Sequence, residues 1–261
     1  MNLRWIGAPG AAVLLFLLAG CSGVTATKGP AAQIEGTAWV LDELPGQTLA
    51  VPGNVTLQFA GGRASGSDGC NRFAGGFQAD AKSLQFSQLA GTQMACPPDV
   101  MAQASAVTGA LMATRAYRAF GERLELLGAD GKTVAVYKAQ ATQVAGTSWT
   151  VTGINNGKGA VASLVADTNV TIEFGAEARA SGTAGCNRYT AGYSADKTAL
   201  TFAPAAATRK MCGAPGVMEQ EQAFLQALTR VATMRMEGDR LELRAVDGAL
   251  MISARRAASA P

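Results

Sequence analysis

The chain contains no histidine among its 261 residues. That absence removes the commonest general base, the commonest metal ligand, and every Ser-His or Cys-His nucleophilic pair. Charge is also sparse, at 16% of residues, and the net charge is only +3. No run of Lys or Arg provides the basic footprint that nucleic acid requires, so no nucleic-acid partner is expected. No C-x-x-C occurs, which argues against a vicinal redox dithiol. No acid–base dyad can be assigned either: Glu35, Asp42 and Glu43 lack counterparts in the second half of the chain, and Glu122 and Glu125, matched by Asp239 and Glu242, sit at outward phase in a hairpin and read as a solvated edge. The expectation is a non-enzymatic protein with no catalytic residues, no cofactor and no metal.

What is present begins with a leader. "MNLRWIGAPGAAVLLFLLAGC" carries Arg4, an apolar run from Ala11 to Leu18, and small residues before Cys21. The run is too short for the roughly 20 residues that cross a bilayer, so residues 1–20 read as a signal peptide. Leu18-Ala19-Gly20-Cys21 resembles the bacterial lipobox. That resemblance implies cleavage before Cys21 and lipidation of its thiol, and several acyl chains on one residue make a stable anchor. The alternative is ordinary secretory cleavage beside a chance cysteine. Ser22 rather than Asp follows, which resembles sorting to the outer membrane of a Gram-negative cell, facing the periplasm. Residues 21–32 are small and polar and form a flexible tether.

Five cysteines less the lipidated one leaves Cys70, Cys96, Cys186 and Cys212. An even number in an oxidising compartment suggests disulfides. Both intervals, 70 to 96 and 186 to 212, are the same length, which favours one bridge inside each half, Cys70–Cys96 and Cys186–Cys212. Closing such a loop stabilises by roughly 3–4 kcal/mol on a chain-entropy view. Redox thiols and pairing between halves are the alternatives. Met94 and Met211 lie near the second cysteines and could suggest Cu(I), but a methionine buried beside a disulfide is the simpler reading.

The halves are copies. "GTAWVLDEL" at Gly36 returns as "GTSWTVTGI" at Gly146; "SGSDGCNRFAGGF" at Ser65 returns as "SGTAGCNRYTAGY" at Ser181; "GERLELLGADG" at Gly121 returns as "GDRLELRAVDG" at Gly238. The period of about 110–117 residues suits a whole small domain. Two units follow, 33–139 and 144–256, joined by a short linker that should hold them close. In each, "VTLQF" or "VTIEF" alternates as a half-buried strand, and Asp130-Gly131 or Asp247-Gly248 marks a hairpin. Pro97-Pro98-Asp99 opens a helix with Val100, Val107 and Leu111 on one face. Its counterpart opens near Pro215 and carries Val217, Glu221, Phe224, Leu228 and Val231. The fold class is α+β: two tandem small domains, each a mostly antiparallel sheet with one packed helix.

Asn71-Arg72 and Asn187-Arg188 follow the first cysteine of each pair. Asn tolerates left-handed turns, and an Arg fork can hold a carboxylate or phosphate. Arg72 and Arg188 are therefore candidate partner-binding residues, although pairing of each with an acid of its own domain is the favoured reading.

The ordered set G-T-x-W, G-C-N-R, T-x-x-x-C, helix, G-[DE]-x-L-x-L and D-G resembles the META domain family (HslJ-like), over nearly all of the mature chain. The resemblance implies an α+β fold, a bacterial envelope location, and links to stress or antibiotic tolerance. It implies no enzyme activity. Two departures stand out: "TQMACPP" becomes "TRKMCGA" in the second unit, and Glu221 has only Ala104 opposite it. The expected role is protein binding or scaffolding in envelope maintenance, with an unknown envelope protein as partner and the membrane reached through Cys21. The alternatives are a small-molecule or lipid binder with an apolar pocket between sheet and helix, and an inhibitor-like accessory of an envelope enzyme.

If both bridges form and Cys21 is lipidated, a thiol assay on denatured mature protein finds no free thiol before reduction and four after it.

Overall fold

The computed structural model describes residues 1, 34–51 and 53–257; the leader, Cys21 and the tether lie outside the described residues. The first unit runs β1 (Ala38–Glu43), β2 (Val55–Ala60), β3 (Arg63–Asp68), β4 (Arg72–Ala79), β5 (Leu84–Gly91), α1 (Pro98–Ala113), β6 (Ala116–Phe120), β7 (Arg123–Leu127) and β8 (Thr133–Ala139). The second runs β9 (Thr147–Asn155), β10 (Val161–Ala162), β11 (Thr171–Phe174), β12 (Arg179–Thr183), β13 (Arg188–Asp196), β14 (Ala199–Phe202), β15 (Ala206–Ala207), α2 (Val217–Arg230), β16 (Thr233–Glu237), β17 (Arg240–Arg244) and β18 (Leu250–Arg256). Among described residues no helix is long and apolar enough to cross a membrane.

Each sheet is antiparallel and curls until its ends meet. The first has the order β5-β4-β3-β2-β1-β8-β7-β6. In the second, β9 pairs with both β11 and β18, and β14 pairs with β16, so eight strands close a ring with β10 and β15 appended. The seam is built alike in both units. Leu84 N donates to Arg115 O at 3.2 Å and Tyr117 N to Lys82 O at 3.0 Å; Leu200 N donates to Ala232 O at 3.1 Å and Met234 N to Thr198 O at 2.7 Å. Closure leaves few unpaired strand edges.

The helix between the fifth and sixth main strands of each ring packs on the barrel. Its buried stripe is Val100, Gln103, Ala104, Val107 and Leu111 in α1, and Val217, Glu221, Phe224, Ala227 and Leu228 in α2. Spacings of three and four put these residues on one face. The α2 stripe meets a core of Trp149, Ile172, Phe174, Tyr189 and Leu241, with Phe224 edge-on to Tyr189 at 5.2 Å. The first core is smaller in side chains but equivalent: Trp39, Leu57, Phe59, Leu84, Leu124 and Tyr137.

The G-T-x-W motif is a hinge into the first strand of each barrel. Gly36 and Gly146 sit at φ +79° and +75°, which favours glycine. Their amides donate to Phe59 O and Phe174 O. The Thr37 and Thr147 hydroxyls donate to the carbonyls of Ile34 and Val144 and accept from the Trp39 and Trp149 indoles at 2.7 Å. A buried tryptophan therefore keeps its N–H satisfied, as burial of the ring requires.

The Asp-Gly hairpins lie where the sequence places them but have longer turns. Gly128 N donates to Lys132 O and Ala245 N to Ala249 O, with Gly131 and Gly248 at positive φ inside the loops.

Candidate functional site

In each unit the Cys-Asn-Arg turn joins the third strand of the sheet to the fourth. It is tied to the segment before the helix by Cys70–Cys96 or Cys186–Cys212, both with Cα atoms 6.0 Å apart. The asparagine does more than turn the chain, and it is not left-handed; Gly69 and Gly185 hold the positive φ. Asn71 Oδ1 accepts from Met94 N at 2.7 Å and Thr92 Oγ1 at 3.1 Å. Asn187 Oδ1 accepts from Lys210 N at 2.7 Å and Thr208 Oγ1 at 2.6 Å, and its Nδ2 donates to Lys210 O at 2.9 Å. The asparagine thus pins the segment that delivers the second cysteine.

The asparagine amide needs a buried acceptor, and the two units supply it differently. In the first, Asp68 of the turn itself accepts from Cys70 N and Asn71 N. In the second, Ala184 stands at that position, and Glu221 reaches across from α2 to accept from Asn187 N at 2.8 Å and Asn187 Nδ2 at 2.9 Å. Where Glu221 leaves the helix, the first unit has Ala104, packed against Cys70. One carboxylate serves one buried turn in each case, so the Ala104/Glu221 difference reflects a swap in support. A buried charge persists only when hydrogen-bonded in this way.

A helix glutamine completes the support. Gln103 Oε1 accepts from Ala50 N at 2.7 Å and Val51 N at 3.2 Å, and Gln220 Oε1 accepts from Val165 N at 2.6 Å. Both residues recur in the two helices at one register, a signal that was available in the sequence but hidden among polar helix positions.

The arginines depart from the own-domain pairing expected of them. Arg72 forks onto Glu237 of the second domain, with Nη1–Oε1 3.1 Å and Nη2–Oε2 2.7 Å. Thr56 Oγ1 and Arg235 Nη2 donate to the same carboxylate at 3.2 and 3.0 Å. The backbone of the β16–β17 turn also docks. Asp239 N donates to Gly53 O at 2.9 Å, and Gln140 of the linker bridges Met236 O and Gly238 N at 2.6 and 3.0 Å. Glycine is required on both sides of this approach: a Cβ on Gly238 would lie 1.9 Å from Gly53 O, and one on Gly53 would lie 1.8 Å from the Asp239 carboxylate. Arg188, at the equivalent place in the second domain, is exposed and has no ion pair among the described residues. Sequence reasoning could not supply Glu237 because Phe120 occupies its place in the first copy.

A cavity of about 420 Å³ opens beside the Arg72–Glu237 pair, walled by Asn54, Ser67, Met94, Arg240 and Arg255. Another, of about 670 Å³, lies on the other side of the junction against the linker, Met234 and Met236. Met94 and Met211 are not buried beside their disulfides; they are 56% and 81% exposed. Among the described residues no group of three or more His, Cys, Asp or Glu could hold a metal.

The architecture defines a class: two curled antiparallel barrels in tandem, each with one helix and one disulfide-tied Cys-Asn-Arg turn. The chain belongs to the META domain family, which it matches twice, over residues 32–141 and 142–258. It is similar to an NMR structure of a protein from Burkholderia xenovorans, at 25% identity and TM-score 0.38, covering 44% of this chain and 83% of that one. A second NMR structure is 22% identical, with TM-score 0.34, covering 42% of this chain and 88% of that one. No curated protein matches the chain significantly.

Asp68→Ala should destabilise the first domain by about 1–3 kcal/mol by removing the acceptor of the buried Cys70 amide and the half-buried Asn71 amide. Adding Ala104→Glu should recover at least half of that loss, because it installs the second domain's solution; urea unfolding of the two variants and the double variant measures the coupling.

Burial raises the Glu237 carboxyl pKa, but the Arg72 fork, Arg235 and Thr56 outweigh it and hold the group below the usual glutamate value. A lowered folded-state pKa means the contact contributes fully above the free-glutamate range and is lost as pH falls through the folded value. The contribution is on the order of 1 kcal/mol, discounted because Arg72 is half exposed. NMR relaxation should therefore find the domains tumbling together at neutral pH and loosening as the pH falls below the free-glutamate range. Glu237→Gln should show the loosening already at neutral pH.

Proposed function

We propose that this protein is a non-catalytic, lipid-anchored component of the bacterial envelope that works by binding another protein, in envelope maintenance or stress tolerance. The observation that carries the reading is the use made of the duplicated turn. Its cysteine, asparagine and buried carboxylate all serve the fold, and the one group it presents outward is an arginine. In the first domain that arginine holds a protein surface, the β16–β17 turn. A lipid on Cys21 would tie the pair to a membrane through a tether of about 12 residues.

A groove of about 510 Å³ along α2, against Pro204 and Ala205 and lined by Met218 and Leu225, favours small-molecule binding as a second reading. It is open on the outside of the helix and is not enclosed between helix and sheet.

Two measurements test the proposal. Metabolic labelling with a palmitate analogue should mark the wild-type chain and not Cys21→Ala, and the variant should leave the membrane fraction. Affinity capture from detergent-solubilised envelope should recover one protein in stoichiometric amount. Absence of label would remove the anchor, and absence of any specific partner would remove the binding role.

A further inference from the structure

The contact between the domains is heterologous: the Cys-Asn-Arg face of the first receives the β16–β17 turn of the second. Such a contact leaves one face and one turn unused, which is the arrangement that propagates into filaments. The unused face surrounds Arg188, and the unused turn is Phe120-Gly121-Glu122. Two substitutions block their union. Phe120 stands where Glu237 supplies the carboxylate. Counted from Val51 and Val165, whose amides meet the helix glutamines, Asp167 takes the place of Gly53, which lies against the acid at the turn's third position; it keeps the left-handed backbone, φ +59° against +82°, and one additional residue follows before the strand. A second copy would bring Glu122 against Asp167, acid against acid.

The open face is otherwise the same receptor. Thr171 holds Thr183 N at 3.2 Å as Thr56 holds Ser67 N at 3.1 Å, so its hydroxyl is set to donate outward as Thr56 does to Glu237. Arg188 pairs with Thr183 across β12–β13 as Arg72 pairs with Ser67 across β3–β4. The differences lie in charge. Gln93 and Met94 become Arg209 and Lys210 beside Arg188, and all three cations are exposed with no ion pair among the described residues. On the rim, Gly53 and Gln58 become Asp167 and Glu173, also exposed. The face is thus basic at its centre and acidic at the positions that meet the flanks of a docked turn.

We propose that the Arg188 face of the second domain binds a β-turn of a different envelope protein, in which a carboxylate is followed by glycine and then by a basic residue. The carboxylate lies in the Arg188 fork with the Thr171 hydroxyl, the glycine permits close backbone approach, and the base meets Asp167. This rests on the protein-binding reading above and names the partner's chemistry.

The probe is a cyclised peptide of residues 233–244, the hairpin that already fills the first domain's face, titrated into the full mature chain. The peptide carrying D239K should bind at least tenfold more tightly than the parent sequence, because it replaces an acid–acid contact at Asp167. Arg188→Glu in the protein should weaken that peptide at least tenfold. A peptide carrying E237K as well should recover binding to Arg188→Glu, a reversal that a merely structural role for Arg188 would not produce. Equal binding with and without Arg188 would overturn the proposal. So would Arg188-dependent binding to phosphatidylglycerol vesicles that the peptide does not compete, which would assign the cations to lipid. Concentration-dependent self-association abolished by Arg188→Glu would overturn it in favour of a second copy. If no peptide binds while envelope capture still recovers a partner unaffected by Arg188→Glu, this inference fails and the protein-binding reading stands.

Discussion

A buried backbone amide needs an acceptor, and in this protein the amide of Asn71 or Asn187 is the one on which most of the site depends. A carboxylate meets it, from Asp68 in one domain and from Glu221 in the other. Once the turn is fixed, the asparagine side chain clamps the segment before the second cysteine and the disulfide falls within reach. The next residue, an arginine, is then projected from a rigid platform. Rigidity matters because a guanidinium fork gains most when little side-chain freedom is lost on binding.

The two domains have made different uses of that platform. In the first, the arginine is consumed in holding the second domain, and a cleft opens beside the contact. In the second, the arginine stays open and acquires basic neighbours. Duplication followed by internal docking leaves one face filled and one face free. The substitutions at positions 120 and 167 give the arrangement an end and remove the like-for-like contact that would let copies chain together.

The repeat, the cysteine intervals and the G-T-x-W strand were legible because they are local. A glycine at positive φ, a threonine two residues before a tryptophan and an Asp-Gly turn each report a conformation within a few residues. The two helices were legible from spacing, and the pairing of cysteines from equal separation. Barrel closure was not, because it rests on a few hydrogen bonds between the segments before β5 and β6, or β14 and β16, which carry no distinctive residues. The Glu221 role was hidden as well. A lone acid in a helix stripe looks like a ligand until the missing Asp at Ala184 is seen to share its partner.

The sequence by itself determined that there are two α+β units and where their turns and cysteine pairs fall, since these follow from periodicity, glycine and proline placement and near repetition. Only the tertiary structure decided what the arginines meet. Arg72 and Glu237 are 165 residues apart in the chain and occupy non-equivalent positions of the two repeats. No spacing rule connects them; the contact exists because two folded surfaces approach within hydrogen-bonding distance at Gly53 and Gly238, and a side chain at either glycine would keep them apart.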